Sequence, residues 1–580
     1  MDFSRALSAA VIATFAAVFA IGAIGAVGAG VTTPTSPSGW QSDHVDIHVD
    51  TRVRRGPVTT AWAWFGNDEP NYVYMPDGQG LLTELAAASP VPIHFRTHNL
   101  LTTGDGTAAL KWGSTNVYTE DANGRPVYDW AIFDRIIDTY LSREVKPLVE
   151  LGFMPEALSS HAQPYRHFWK PGDNYNDIYT GWSYPPTDYA KWGELVYQVG
   201  RHVLAKYGQR EVDSWWWEVW NEPDIGYWHG TPDEFMKLYD FAADGLTRAL
   251  PTAKIGGPEV SGPNGARTQA ILRNFLEHCL HGTNYATGRV GSPLGLATFH
   301  AKGAPQVMPD GHVRMNVGSQ LRAIANGFAV VSSFPELRRV PIVIGESDPE
   351  GCAACPVRTN PANAYRNGTM YSSYTAEQLV RTFELSDAQG VNLMGAVSWA
   401  FEFEDQPFFD GFRDLATNGA DKPVLNVFRM LGRMTGHRVA VDSTGALTLD
   451  AVRDHSVRNL PDIPALATVD GHSASVLVWN YHDDDLPAAS ATITLSVDGL
   501  PDGRATLTHY RIDTNHSNAY TVWKAQGSPQ APTSAERDAL ITAGQLQTLG
   551  APVPVIVAHG RGVVTFTLPR QAVSLLRFDW

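Results

Sequence analysis

The sequence predicts an α/β protein, a (β/α)8 TIM barrel followed by a C-terminal β-sandwich. Three observations carry that prediction. Between Thr59 and Phe401, eight short apolar stretches alternate with segments of helical periodicity, the order a closed parallel barrel requires. From about residue 436 the pattern changes to short strands parted by Asp, Gly and Pro, which indicates packed antiparallel sheets. Two of the apolar stretches end in glutamates, Glu222 and Glu346, on the face where barrel chemistry sits. At 580 residues the chain is too long for one typical core, and it divides as 1–31, 32–56, 57–435 and 436–580.

Taken in order, Arg5 is followed by the uncharged run Ala6 to Val31, which ends in small residues and a Thr/Ser/Pro spacer from Thr32 to Ser38. This is the pattern of a signal peptide over 1–31 and predicts an exported protein, periplasmic or secreted, with no membrane attachment after cleavage. The run is long enough to span a bilayer, so a retained anchor stays open. His44 to Asp50 alternates apolar with polar, as a strand with one wet face does, and is expected to join the sandwich. Arg52 to Gly56 reads as a break.

The barrel strands are then Thr59 to Phe65, Val91 to Phe95, Val145 to Phe153, Trp215 to Trp220, Lys254 to Gly257, Gly295 to Phe299, Pro341 to Gly345 and Leu393 to Phe401. Helical stretches between them include Tyr128 to Arg143, Tyr189 to Tyr207, Pro232 to Leu250, Thr268 to His278, Val317 to Phe328 and Ala376 to Gln389. The loop His161 to Pro186 is rich in aromatics that either line a sugar cleft or pin the loop down. In the last domain, Ala440 to Asp442, Leu447 to Leu449, Ser475 to Tyr481, Ala491 to Leu495, Val563 to Leu568 and Val573 to Phe578 read as strands.

A net charge of −16 argues against a nucleic-acid partner, which needs a basic face. Cys352 and Cys355 fall short of a zinc site's four ligands and lack a redox fold's context, so a local disulfide is expected; Cys279 reads as buried. Oligomeric state is not legible.

Trp215 to Trp220 run apolar into Asn221-Glu222-Pro223, and Val340 to Gly345 run into Glu346, three strands later. Both side chains are thus expected in one central cleft. Paired carboxylates are what hydrolysis of a glycosidic bond uses, one as proton donor and the other as nucleophile or base. That chemistry needs no metal and no cofactor. Either glutamate alone would read as an exposed loop acid.

With these residues in view, the chain resembles glycoside hydrolase family 39, which includes β-xylosidases and α-L-iduronidases. The resemblance rests on Arg96-Thr97-His98, Val149 to Pro155, Trp220 to Asp224, Gly256-Gly257-Pro258, His281 to Asn284, Phe299 to Ala304 and Gly345 to Pro349. Lys422 to Asn426 and His509 to Asp513 extend it. It implies that Glu222 is the general acid/base and Glu346 the nucleophile, with retention of configuration. Asn221 would bind the substrate 2-hydroxyl, His98 and His300 would stand near the reacting sugar, and Lys302 matches a lysine that helps hold a uronate in iduronidases. The acidic and basic partners of that lysine fall, by alignment, at Ser398 and Gly411, which favours a neutral pentose. Trp399 and Glu404 are candidates for stacking and hydroxyl contacts, with core packing and a solvated rim as the alternatives. The expected activity is an exo-acting β-xylosidase on xylo-oligosaccharides. The other readings are an α-L-iduronidase-like or arabinose-releasing enzyme, or a carbohydrate-binding protein on an inactive barrel.

Overall fold

The computed structural model describes residues 44–67, 69–166, 168–399 and 401–580; the signal-peptide and spacer expectations lie outside them. Strand β1 (His44–Pro57) belongs to the second sheet. The barrel wall is parallel and consists of β2 (Trp64–Asn67), β3 (His94–Thr97), β4 (Lys146–Leu151), β5 (Trp216–Val219), β6 (Ile255–Val260), β7 (Leu296–Lys302) and β8 (Ile342–Asp348), each bonded to the next. The eighth position is a broken strand: β9 (Leu393–Ala396) pairs with β8, and β10 (Ser398–Trp399) pairs with β2. The ring therefore closes around one interruption at Val397, where the sequence reads a continuous strand.

Helices pack outside this wall because their apolar residues repeat at helical spacing and their ends are marked in the sequence. Tyr189–Tyr207 begins at Asp188, whose carboxylate accepts from the N–H groups of Ala190 and Lys191, and stops at Gly208 with φ 79°. Pro232–Ala249 begins with a capping box between Thr231 and Glu234. Some boundaries move. The first strand starts at Trp64 and not Thr59, because Ala63 N–H closes a turn onto Thr60. The helix over Thr369–Gln389 begins seven residues before Ala376.

The C-terminal strands are β11 (His437–Ser443), β12 (Ala465–Asp470), β13 (Ser473–Trp479), β14 (Ala491–Asp498), β15 (Gly503–Ile512), β16 (Gln547–Thr548), β17 (Val553–Ala558), β18 (Arg561–Leu568) and β19 (Val573–Asp579). They differ from the expected two-layer sandwich. With β1 they form one ten-stranded sheet in the order β16-β15-β17-β18-β14-β1-β11-β12-β13-β19, and β15 also pairs with β19. The sheet thus returns on itself like a barrel. Alternation such as β14's, buried and half-exposed in turn, gives one dry and one wet face in either arrangement.

β1 lies antiparallel to β11 and parallel to β14, with Val45, Ile47 and Val49 in the sheet's core. The break expected at Arg52–Gly56 is instead a bulged continuation of this strand, with register shifts after Asp50 and Arg54. Leu447–Leu449, expected as a strand, opens the helix Leu449–His455, which the Thr448 hydroxyl caps by accepting from Ala451 N–H. Trp479, Leu477 and Leu575 of the second domain belong to the same buried core as the barrel.

Candidate active site

The carboxyl ends of the barrel strands converge on a buried cluster of charges. Arg96, at the end of β3, is its hub: its guanidinium pairs with Glu218, lies 2.9 Å from Glu150 and 3.2 Å from Glu346 Oε1, and donates to Asn221 Oδ1 at 3.1 Å. Such a cluster is stable only because the carboxylates compensate the buried cation. His98 Nε2 stands 2.8 Å from Glu150 and 3.1 Å from Asn221 Oδ1.

Glu222 follows β5 in a left-handed conformation, φ 42°, two residues after Trp220 at φ 71°. Its Oε1 lies 2.8 Å from His300 Nδ1, at the end of β7. Glu346, on β8, meets Lys302 through Oε2. An oxygen of Glu222 and one of Glu346 lie within 4.8 Å of each other. Burial alone would raise the Glu346 carboxyl; Lys302, His300 and Arg96 outweigh it and hold the group well below the usual carboxylate range. Glu346 therefore stays ionised. His300 is also buried, which opposes its charge, yet Glu346, Glu222 and Glu259 push it up to about 9. The negative charge at this centre is met by Arg96, Lys302 and His300 from the chain itself.

The structure brings together Glu222, Glu346, Asn221, His98, His300 and Lys302. Trp399 joins them: its backbone N–H donates to Asp348 Oδ1 at 2.9 Å, and its ring lies 4.9 Å from the Arg96 guanidinium and 4.7 Å from the His98 ring. Gly66 faces that ring so closely that a Cβ would overlap it. Glu404 is placed elsewhere. Its Oε2 accepts from Asp77 N–H at 2.9 Å, at the start of the helix Pro76–Ala88, so it serves a helix N-terminus. Glu402, not Glu404, lines the small cavity under Trp399, together with Asn67, Glu69 and Tyr72.

Several of these residues escape the sequence reading. Glu69 and Lys111 are both buried, 3.9 Å apart, and burial pulls Lys111 down to about 7. Arg413, two positions past Gly411, reaches Asp348 at 3.1 Å, and Asp348 in turn meets Lys302 at 3.2 Å. Glu259, the last but one residue of β6, touches His300 at 2.9 Å. The sequence marks Glu259 only faintly, since Pro258 parts it from the short strand read over Lys254 to Gly257. The aromatic loop pins itself: Trp182 is fully buried between Phe153 and Tyr227, Tyr165 Oη donates to Met154 O at 2.9 Å, and Phe168 is exposed. Cys352 and Cys355 are joined as a disulfide with Cα atoms 5.5 Å apart, and Cys279 is free and buried.

A parallel barrel whose strand ends bring two carboxylates together, one of them held ionised, is the framework of a glycoside hydrolase. The model of glycosyl hydrolases family 39 matches residues 109–557, and the chain belongs to that family. It is 25% identical over 430 residues to a β-xylosidase of Caldicellulosiruptor saccharolyticus, covering 71% of this chain and 76% of that one. To the α-L-iduronidase of Mus musculus it is 27% identical over 420 residues, covering 67% and 61%. A monomeric β-xylosidase from Caulobacter crescentus shares the fold, with a TM-score of 0.71 at 20% identity over 92% of this chain and 99% of that one. The chain is a glycosidase acting on carbohydrate.

Proposed function

We propose that the chain is an exo-acting, retaining β-xylosidase that releases xylose from xylo-oligosaccharides by double displacement, with Glu346 as nucleophile and Glu222 as acid/base. The observation that carries the mechanism is the approach of the two carboxylates to within 4.8 Å. Retaining enzymes hold theirs about 5–5.5 Å apart, whereas inverting ones leave about 6.5–9.5 Å for a water. In the first step the Glu346 carboxylate bonds to C1 as the Glu222 proton passes to the leaving oxygen. In the second, Glu222 takes a proton from the water that releases the sugar. Asn221 is suited to the 2-hydroxyl, Trp399 to the floor of the glycone site, and His98 and Lys302 to neighbouring positions. Proton NMR during hydrolysis of an aryl β-xyloside tests this: the β-anomer of xylose is expected first. If the α-anomer appears first, the double displacement is overturned.

The pentose reading is supported by how Lys302 and Arg413 are engaged. Lys302 already meets Glu346 and Asp348, and Arg413 meets Asp348, so a uronate would compete with these partners. One observation favours the iduronidase-like alternative: Arg413 Nη2 is buried without a hydrogen-bond partner among the described residues. Desolvating a uronate against partly engaged cations costs binding, so kcat/KM for aryl β-xylosides is expected to exceed that for aryl α-L-iduronides by at least about tenfold, about 1.4 kcal/mol. An iduronide preference would reverse the assignment. We also propose export, on the pattern of residues 1–31; among the described residues no helix is long and apolar enough to cross a membrane.

A further inference from the structure

We propose that Glu259 is a positioning residue for the acid/base step: through His300 it keeps an N–H on one oxygen of Glu222, so that the proton to be delivered sits on the other. The inference rests on the reading of Glu222 as acid/base given above.

Glu259 is fully buried near the end of β6, with φ 56°. Pairing of β6 with β7 shifts register between Pro258 and Val260, which leaves Glu259 as the extra residue of a bulge. Bulges beside active sites re-aim side chains, and this one faces into the barrel. Its Oε2 lies 2.9 Å from His300 Nε2, while His300 Nδ1 lies 2.8 Å from Glu222 Oε1. The same residue's backbone carbonyl accepts the Glu222 N–H at 2.9 Å. Glu259 thus holds Glu222 at both its peptide and its carboxyl group. The space a Cβ on Gly345 would occupy is filled by the Glu259 carboxyl, which explains a glycine directly before Glu346.

The chemistry follows from the two ring nitrogens. If His300 were neutral with its proton on Nε2, a bare Nδ1 would accept the Glu222 proton and the acid would be lost. Glu346, and Glu259 hydrogen-bonded at Nε2, keep both nitrogens protonated. Glu259 itself is faced by Glu218 on β5 and Arg96 on β3, and stays ionised at about 2 although burial opposes it. Nδ1–H then occupies Oε1, and the transferable proton rests on Oε2. In the first step the Oε2–H bond breaks, the proton goes to the glycosidic oxygen, and the C1–O electron pair stays on that oxygen as Glu346 bonds to C1. The carboxylate left on Glu222 is met by Nδ1–H. In the second step Glu222 regains a proton from the attacking water.

The test uses the full chain with Glu259→Gln, which keeps the shape and removes the charge, and aryl β-xylosides from dinitrophenyl to phenyl. Loss of about tenfold or more in kcat/KM is expected with phenyl and under about threefold with dinitrophenyl, whose departure needs little protonation. The alkaline limb of kcat/KM should fall by about one pH unit as His300 loses its charge. Should Glu259→Gln fail to fold, Glu259→Asp retains the charge at shorter reach: the same leaving-group dependence is expected, with the alkaline limb unmoved. Equal losses on both substrates in whichever variant folds would mean that Glu259 serves only structure, and would overturn the inference. Glu222→Ala run alongside separates the two readings. If that variant shows no leaving-group dependence, the acid/base assignment itself falls, and this inference with it.

Discussion

Glu346 and Glu222 differ in their neighbours, and that difference sets what each variant does. On the roles proposed above, Glu346→Gly removes the nucleophile, so turnover should vanish for every substrate. Glu222→Ala should cost about 10²–10⁴-fold on poor leaving groups and far less on dinitrophenyl glycosides. Azide should restore its turnover and yield a β-glycosyl azide by attack on the covalent intermediate, whereas azide with Glu346→Gly should give the inverted α-azide by direct displacement; the opposite pair of products would exchange the two assignments. Lys111 offers a second check at this scale. Burial lowers it to about 7 in the folded chain, against 10.5 unfolded. Between those values the unfolded chain binds the proton better, so stability gained from this residue rises with pH through that window and is constant below it. The melting temperature of the wild-type chain, relative to Lys111→Met, should therefore rise from pH 7 to pH 9. A constant difference would mean that burial does not set its charge. Glu222 and Glu346 were legible in the sequence because each ends an apolar strand. Lys111, Glu69 and Arg413 were not, since they lie on loops whose path depends on the closed barrel.

The strands and helices of the barrel show where sequence patterns carry and where they stop. Periodicity and caps locate the helices, because those signals are local: Asp188, Thr231 and Gly208 sit beside the turns they finish. The interruption at Val397 and the bulge at Glu259 leave no mark of their own, since both arise from fitting a ring of strands. The loop after Glu346 has two fastenings of unequal weight. The disulfide Cys352–Cys355 closes a very short loop, which removes little unfolded-chain entropy. Arg366 is fully buried, lies 2.6 Å from Glu350, and donates to the carbonyls of Cys352 at 2.6 Å, Ala353 at 3.2 Å, Cys355 at 2.8 Å and Gly411 at 3.0 Å. Replacing it takes the nearer cation from the Glu350 carboxylate and one donor from each of these four carbonyls. Arg366→Met should cost about 3–5 kcal/mol. The double Cys→Ser variant should cost less than about 2 kcal/mol. Urea midpoints of the two variants decide it; a larger loss for the disulfide variant would reverse the ranking.

At the scale of the molecule, the two sheets are coupled more tightly than the change of pattern near residue 436 suggests. Alternating strands foretell a β-rich second domain, but partner choice among ten strands is a non-local matter, and the closed sheet could not be read from it. Nor could the joint between domains. Trp479 is buried against the barrel and donates to Glu377 Oε2 at 2.6 Å; Glu377 lies 3.0 Å from Arg381, which pairs with Asp462 of the second domain. Leu477, Ile512, Val573 and Leu575 extend the same core. Cutting the chain at 436 would bare this apolar surface and take Trp479 from Glu377 and Asp462 from Arg381, several kcal/mol of loss on the barrel side alone. The full chain should therefore unfold in one calorimetric transition, with calorimetric and van't Hoff enthalpies equal. Trp479→Ala, at a cost of about 3–5 kcal/mol, should lower that single transition without splitting it. Two resolved transitions, or a soluble 57–435 fragment melting where the full chain does, would show that the joint contributes nothing to the barrel's stability.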